Sequence, residues 1–128
     1  MNILLDTHAL IWWLAGDEAL GREARALIED EETRVFVSAA SAMEISTKHR
    51  LGKLPDAALL ATNLSEYLRD QGFEEMPISI AHAAMAGNLQ IAHKDPFNRF
   101  LIAQALVENC PLASNEALFD AFGVSRIW

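Results

Sequence analysis

The sequence predicts a three-layer α/β/α domain built on a mainly parallel central sheet. Three observations carry that prediction. Strand-like and helix-like segments alternate along the whole chain, which is the pattern of βα units. The first strand-like run, Asn2 to Leu5, is apolar on both faces, as a central parallel strand must be. The length, 128 residues, is that of one domain, enough to withdraw roughly two-thirds of the unfolded surface from water. A single domain over residues 1–128 is therefore expected.

Each element has its own reason. Asn2 to Leu5 is a short strand that Asp6 ends. Ala9 to Ala15 is apolar and helical, closed by Gly16-Asp17. Leu20, Ala24, Leu27 and Ile28 share one face of a helix reaching Asp30, with charges opposite. Val35-Phe36-Val37 is a second buried strand. A helix runs from Ala39 to Arg50, stopped by Gly52 and Pro55. Ala57 to Gln71 is helical in pattern, in one or two pieces. Phe73 to Ile78 reads as an edge strand, because Pro77 cannot donate to a central ladder. Ser79 caps a helix ending near Gly87. His93 to Pro96 is a loop, and Pro96 suits the first turn of the helix Phe97 to Asn109. Leu112 to Ser114 is a brief strand, Glu116 to Phe122 a short helix, and Ser125 to Trp128 a last strand. No repeat or low-complexity stretch interrupts this order.

Composition narrows the function. The chain is 52% hydrophobic and 22% charged, ordinary globular usage. It opens without a basic leader segment and meets an Asp at position 6, and it has no apolar run near the ~18 residues of a membrane span. Cys110 is the only cysteine, which excludes an internal disulfide and a cysteine metal site. A reducing, cytoplasmic location without membrane contact is expected. The net charge of −8 argues by itself against nucleic-acid binding. The basic residues are not spread evenly, however. Lys48, Arg50 and Lys53 fall in one segment, Lys94 and Arg99 in another, and both segments also carry acids. Mixed charge in one place describes a site better than a solvated face.

The acids converge on one sheet edge. Ligands of open α/β sheets bind beyond the carboxyl ends of the strands. Asp6 ends the first strand, Glu44 lies early in the helix after the second, and Glu116 follows the strand at Leu112. Asp95 and Asn98 begin the long helix before that strand. Hard oxygen ligands of this kind suit Mg²⁺ or Mn²⁺, which lower the pKa of a bound water and offset charge on a phosphodiester. Each acid also has a local role open to it. Asp6 fits a cap of the next turn. Ser41 and Glu44 fit a capping box, and Glu44 precedes Lys48 by four residues, the favoured order for a helix ion pair. Asp95 is a common helix-entry residue, and Glu116 suits the start of its own helix.

These residues resemble a known family. Asp6-Thr7-His8-Ala9-Leu10-Ile11-Trp12 resembles the opening of PIN domains of the VapC toxin type. Ser38 to Ile45, followed by Lys48, Gly52 and Lys53, resembles their second motif. His93-Lys94-Asp95-Pro96-Phe97-Asn98-Arg99, with Ala103-Gln104-Ala105, resembles the third, and Pro111 to Glu116 with Phe122-Gly123-Val124 the fourth. The resemblance implies a Mg²⁺- or Mn²⁺-dependent endoribonuclease toxin that cuts structured RNA such as tRNA or rRNA. It implies an antitoxin of the VapB type that blocks the site, a homodimer, and a toxin–antitoxin hetero-oligomer that binds operator DNA through the antitoxin. Carried onto this chain, Asp6, Glu44, Asn98 and Glu116 occupy the catalytic and metal-ligating positions, with Asp95 as a further metal candidate. Thr7, Ser114 and Asn115 become helpers near metal and phosphate. Lys48, Lys53 and Arg99 become holders of RNA phosphate or of nearby acids.

Two positions depart from the pattern. Glu116 stands where the family usually has Asp, which keeps the charge. Asn98 also stands where it usually has Asp. Its amide oxygen can still coordinate, but a negative charge is lost and the NH₂ cannot ligate a cation. Weakened or abolished activity is expected. A natural weakening, a regulatory relic and a deliberate disarming substitution all produce such an Asn, and the near-isosteric change fits the last best. The other reading is a non-catalytic PIN-like binding or regulatory module.

Other chemistries find less support. His8, His49, His82 and His93 form no zinc pattern, and only His93 is placed near the site. Ser38 and Ser41 lack a His-Asp arrangement. A phosphatase of the haloacid dehalogenase type wants a second Asp two residues after the first, where this chain has His8. Trp12 and Trp13 are adjacent and cannot share a helix face, so one is expected in the core and the other on a partner groove.

Overall fold

Strand β1 (Asn2–Leu5) lies at the centre of a five-stranded sheet whose order is β3-β2-β1-β4-β5. The computed structural model describes residues 1–54, 57–90 and 95–128. In chain order, β1 leads to α1 (Thr7–Ala15), α2 (Arg22–Glu29), β2 (Arg34–Ser38), α3 (Ala39–Arg50) and α4 (Ala58–Gln71). Then come β3 (Glu74–Met76), α5 (Ile80–Asn88), α6 (Pro96–Val107), β4 (Leu112–Ala113), a 3-10 helix (Ala117–Phe122) and β5 (Arg126–Ile127). Every strand pairing is parallel. The sheet expected to be mainly parallel is wholly so among the described residues. The strand expected over Phe73 to Ile78 is Glu74–Met76, ends before Pro77 and sits at an edge of the sheet.

Alternation along β1 divides the core. Ile3 and Leu5 face one side with Ala9, Leu10, Ala24, Val35, Val37, Ile45 and Leu68. Leu4 faces the other with Leu101, Ile102, Leu112 and Phe119. Ile3, Leu4 and Leu5 are wholly buried. Helices α1 to α4 therefore cover one face, and α6 with the 3-10 helix covers the other, giving three layers. Helix α5 packs on α6.

Element boundaries shift for local reasons. Helix α1 starts at Thr7 rather than Ala9, because Asp6 caps it. Non-helical Asn63 splits the pattern of α4 into the two pieces held open by the sequence. The short helix after Glu116 is of the 3-10 type. The capping box expected from Ser41 and Glu44 does not form. Ser38 is the N-cap of α3, its Oγ accepting from Ala40 N–H at 2.9 Å, which leaves Ser41 inside the helix. Both tryptophans are half-buried against the core rather than divided between core and groove. Trp12 meets Trp128 edge-on at 5.7 Å, and Trp13 lies 6.2 Å from Phe73 and donates its indole N–H to Gln71. Of the third motif, His93 and Lys94 lie outside the described residues.

Candidate active site

The strand order reverses between β1 and β4, and the crevice at such a reversal is where an open α/β sheet binds its ligand. Register places the acids there. Leu5 of β1 pairs with Ala113 of β4, and Asp6 N–H donates to the Ala113 carbonyl at 3.0 Å. The next residue after each strand, Asp6 and Ser114, then meet side by side.

Asp6 is buried at 4% exposure. Its Oδ1 accepts from Ala9 N–H at 2.7 Å, so the cap role open to it in the sequence is filled. Burial pushes its carboxyl above the ordinary value; hydrogen bonds from Ser114 and Ala9 and the nearby His8 pull it down, and Glu116 pushes it up again. The Ser114 hydroxyl is shared, since Glu116 N–H donates to its Oγ at 3.0 Å. Glu116 occupies the N-cap position of the 3-10 helix, but its side chain makes no capping hydrogen bond. Arg126 steadies this end of β4, donating to the Ser114 carbonyl at 3.1 Å while its Nε holds Asp120 at 2.8 Å. Nothing in the sequence pattern marks Arg126, because its partners meet only through β4–β5 pairing.

Glu44 is buried on α3. Thr7 Oγ1 donates to Glu44 Oε1 at 2.5 Å, and Lys48 Nζ donates to Oε2. The ion pair expected from the four-residue spacing is thus present. Thr7 Oγ1 also lies 3.0 Å from Ser41 Oγ. Since Thr7 follows Asp6, α1 links the Asp6–Ser114–Glu116 group to the Ser41–Glu44–Lys48 group.

The remaining candidates divide. Asp95 is the N-cap of α6, accepting from Phe97 N–H at 2.9 Å and Asn98 N–H at 3.4 Å. Asn98 is half-buried in the first turn behind it. Arg99 closes the end of α5, donating from Nε to Ala86 O and from Nη2 to Leu89 O, each at 3.0 Å. Lys53 and Asn115 are exposed.

Among the described residues, no three His, Cys, Asp or Glu side chains gather closely enough to hold a metal ion. The donor set nevertheless fits Mg²⁺ or Mn²⁺. These ions take one or two carboxylates and fill their other positions with water and phosphate oxygens. A buried carboxyl already raised in pKa and adjoined by a second acid, as Asp6 is by Glu116, is stabilised in its ionised form by such a cation.

Comparison with known proteins decides the family. The PIN domain family matches residues 3–124. The chain belongs to the PIN domain family. This PIN domain is 37% identical over 62 residues to Ribonuclease VapC16 of Mycobacterium tuberculosis. The matched stretch is 48% of this chain and 44% of that relative, so the chain spans less than half its relative's length. In structure, the PIN domain resembles VapBC2 from Rickettsia felis bound to a promoter DNA fragment, with TM-score 0.71, 14% identity, and 99% of this chain and 98% of that one covered. It resembles a toxin–antitoxin complex from Klebsiella pneumoniae at TM-score 0.66, 18% identity, 98% and 96% coverage. It resembles FitAcB from Neisseria gonorrhoeae at TM-score 0.63, 18% identity, 100% and 97% coverage. At these identities the likeness is one of fold. No helix among the described residues is long and apolar enough to cross a membrane.

Proposed function

We propose that this PIN domain is a Mg²⁺- or Mn²⁺-dependent endoribonuclease of the toxin type, cutting structured RNA such as tRNA or rRNA. The observation that carries the reading is the buried Asp6 at the end of the central strand, hydrogen-bonded by Ser114 and adjoined by Glu116. A carboxyl withdrawn from water beside a second acid is costly unless a cation joins it. The partial likeness to Ribonuclease VapC16 supports RNA as the substrate. The likeness to VapBC2 bound to promoter DNA and to a toxin–antitoxin complex supports an antitoxin partner of the VapB type and promoter DNA contact by the complex; operator contact through that antitoxin and a homodimer within the larger assembly belong to the same proposal.

Asp6 and Glu116 would hold the metal, with Asn98 as a neutral oxygen donor and Asp95 as its helix cap. When bound, the metal supplies a more acidic water and a positive charge against the phosphodiester. The protein residues supply position. Ser114 orients Asp6 and fixes the backbone at Glu116 through one hydroxyl. Thr7 and Lys48 hold the Glu44 carboxylate in one rotamer, so that it can take a proton from an attacking water. Exposed Lys53 is available to an RNA phosphate.

Asn98 carries one negative charge fewer than the family's usual Asp, which supports a weakened or inactive form. The experiment is Mg²⁺-dependent cleavage of a tRNA and rRNA pool by this chain and by Asn98→Asp. Cleavage should rise by an order of magnitude or more in the restored form, the scale on which losing one well-placed electrostatic group acts, and should vanish in Asn98→Asp with Asp6→Asn. Absence of cleavage in every form, with Mn²⁺ binding retained, favours the non-catalytic binding module instead.

A further inference from the structure

We propose that Lys48 is a positioning residue serving Glu44 as a resident cation. The site then takes one divalent ion, on Asp6 and Glu116, and Glu44 acts from outside its coordination sphere. This rests on the metal-site reading above and adds the number of ions and the role of Glu44.

The two halves of the site are satisfied in opposite ways. Glu44 has both carboxylate oxygens engaged by protein, Oε1 by the Thr7 hydroxyl and Oε2 by the Lys48 ammonium. Its side chain is 6% exposed and that of Lys48 is 32% exposed, so the pair is largely withdrawn from water. A buried carboxylate needs a cation or several donors, and here α3 supplies them from its own next turn. Among the described residues, neither Asp6 nor Glu116 has an ion pair with lysine or arginine. Apart from His8 beside Asp6, their charge is left for something outside the described residues to balance.

Charge and space then limit the ions. For Glu44 to ligate a divalent ion directly, Lys48 must leave its oxygen, or an ammonium must stand against a dication at low dielectric. Neither arrangement gains over the pair already present. Asp6, Glu116 and Glu44 with Lys48 leave two formal negative charges, which one divalent ion balances.

Mn²⁺ titration followed by the electron paramagnetic resonance of the free ion tests this without any activity assay. The chain as it stands, and its Asn98→Asp form, should each bind one equivalent. Lys48→Met should free Glu44 and admit a second equivalent, Lys48→Arg should stay at one, and Lys48→Met with Glu44→Gln should return to one. Two equivalents on the unmodified chain, or one on a folded Lys48→Met chain, overturn the proposal while leaving a metal site in place. If Lys48→Met does not fold, the unmodified and Lys48→Arg chains still decide, because two equivalents on either overturn it. No binding to the unmodified and Asn98→Asp chains overturns both the proposal and the metal-site reading.

Discussion

Asp6 does two jobs with one carboxylate. One oxygen caps α1, and the group as a whole sits in a buried, acid-lined crevice. Its folded-state pKa is raised, chiefly by burial. A raised carboxyl binds its proton more tightly in the folded state than in the unfolded one. Asp6 therefore favours folding most at pH below its unfolded value and opposes it as pH rises through the folded value. Asp6→Asn keeps a good N-cap and removes the buried charge. Its Tm at pH 7 should equal or exceed that of the parent, and part of the stability lost between acid and neutral pH should disappear, as thermal melts across that range will show. A lower Tm at pH 7 would contradict the assignment. Cys110 behaves oppositely to a reactive thiol. Burial and Glu108 push it up to about 11, so alkylation of the native chain by iodoacetamide at pH 8 should be slow and become rapid only in denaturant.

Helix starts set the next scale. Asp95 caps α6 through two backbone N–H groups, and a cap of this kind contributes about 1 kcal/mol. Asp95→Ser should cap as well as the parent, whereas Asp95→Ala should lose about 1 kcal/mol in urea unfolding. If Asp95 instead acted through its charge as a metal ligand, Asp95→Ser would retain stability yet lose Mn²⁺ affinity, and the two assays separate the roles. Helix α5 is held at both ends. Ser79 accepts from His82 N–H at 3.1 Å, and His82 Nδ1 accepts from Ser79 N–H at 3.0 Å, completing a capping box. The other ring nitrogen of buried His82 meets Glu108 at 2.9 Å. With Nδ1 accepting, Nε2 carries the proton and donates to that carboxylate. Arg99 closes the far end of α5 on the carbonyls of Ala86 and Leu89. These contacts tie α5 to α6.

The molecule as a whole depends on two close approaches. One is the central strand, whose Ile3, Leu4 and Leu5 join the two halves of the core. Leu4→Ala should cost about 2–5 kcal/mol, read as a lower urea midpoint at unchanged slope. The other is at Gly21, where a Cβ would stand 2.5 Å from the main-chain carbonyl carbon of Trp128. Backbone cannot yield as a side-chain tip can. Gly21→Ala should therefore cost about 1–3 kcal/mol, the range of overpacking, and should increase hydrogen exchange at β5 relative to β1. Equal exchange at both strands would show that β5 does not bear the strain.

The PIN fold and much of its crevice were legible in the sequence. The doubly apolar Asn2–Leu5 run marked a central parallel strand, the alternation of patterns marked the layers, and Asp6 at a strand end marked the crevice. The Glu44–Lys48 pair was legible for the same reason, since both residues lie within one helical turn and local spacing decides their contact. What periodicity cannot carry is strand order and register, because these come from packing between segments far apart in the chain. Only the pairing of Leu5 with Ala113 brings Asp6 to Ser114 and Glu116, and only β4–β5 pairing brings in Arg126. Local propensity likewise could not choose between Ser38 and Ser41 as the cap of α3, since both fit a helix start. The tertiary fold chose by setting Ser41 beside Thr7, and with it the buried path from Asp6 to Glu44.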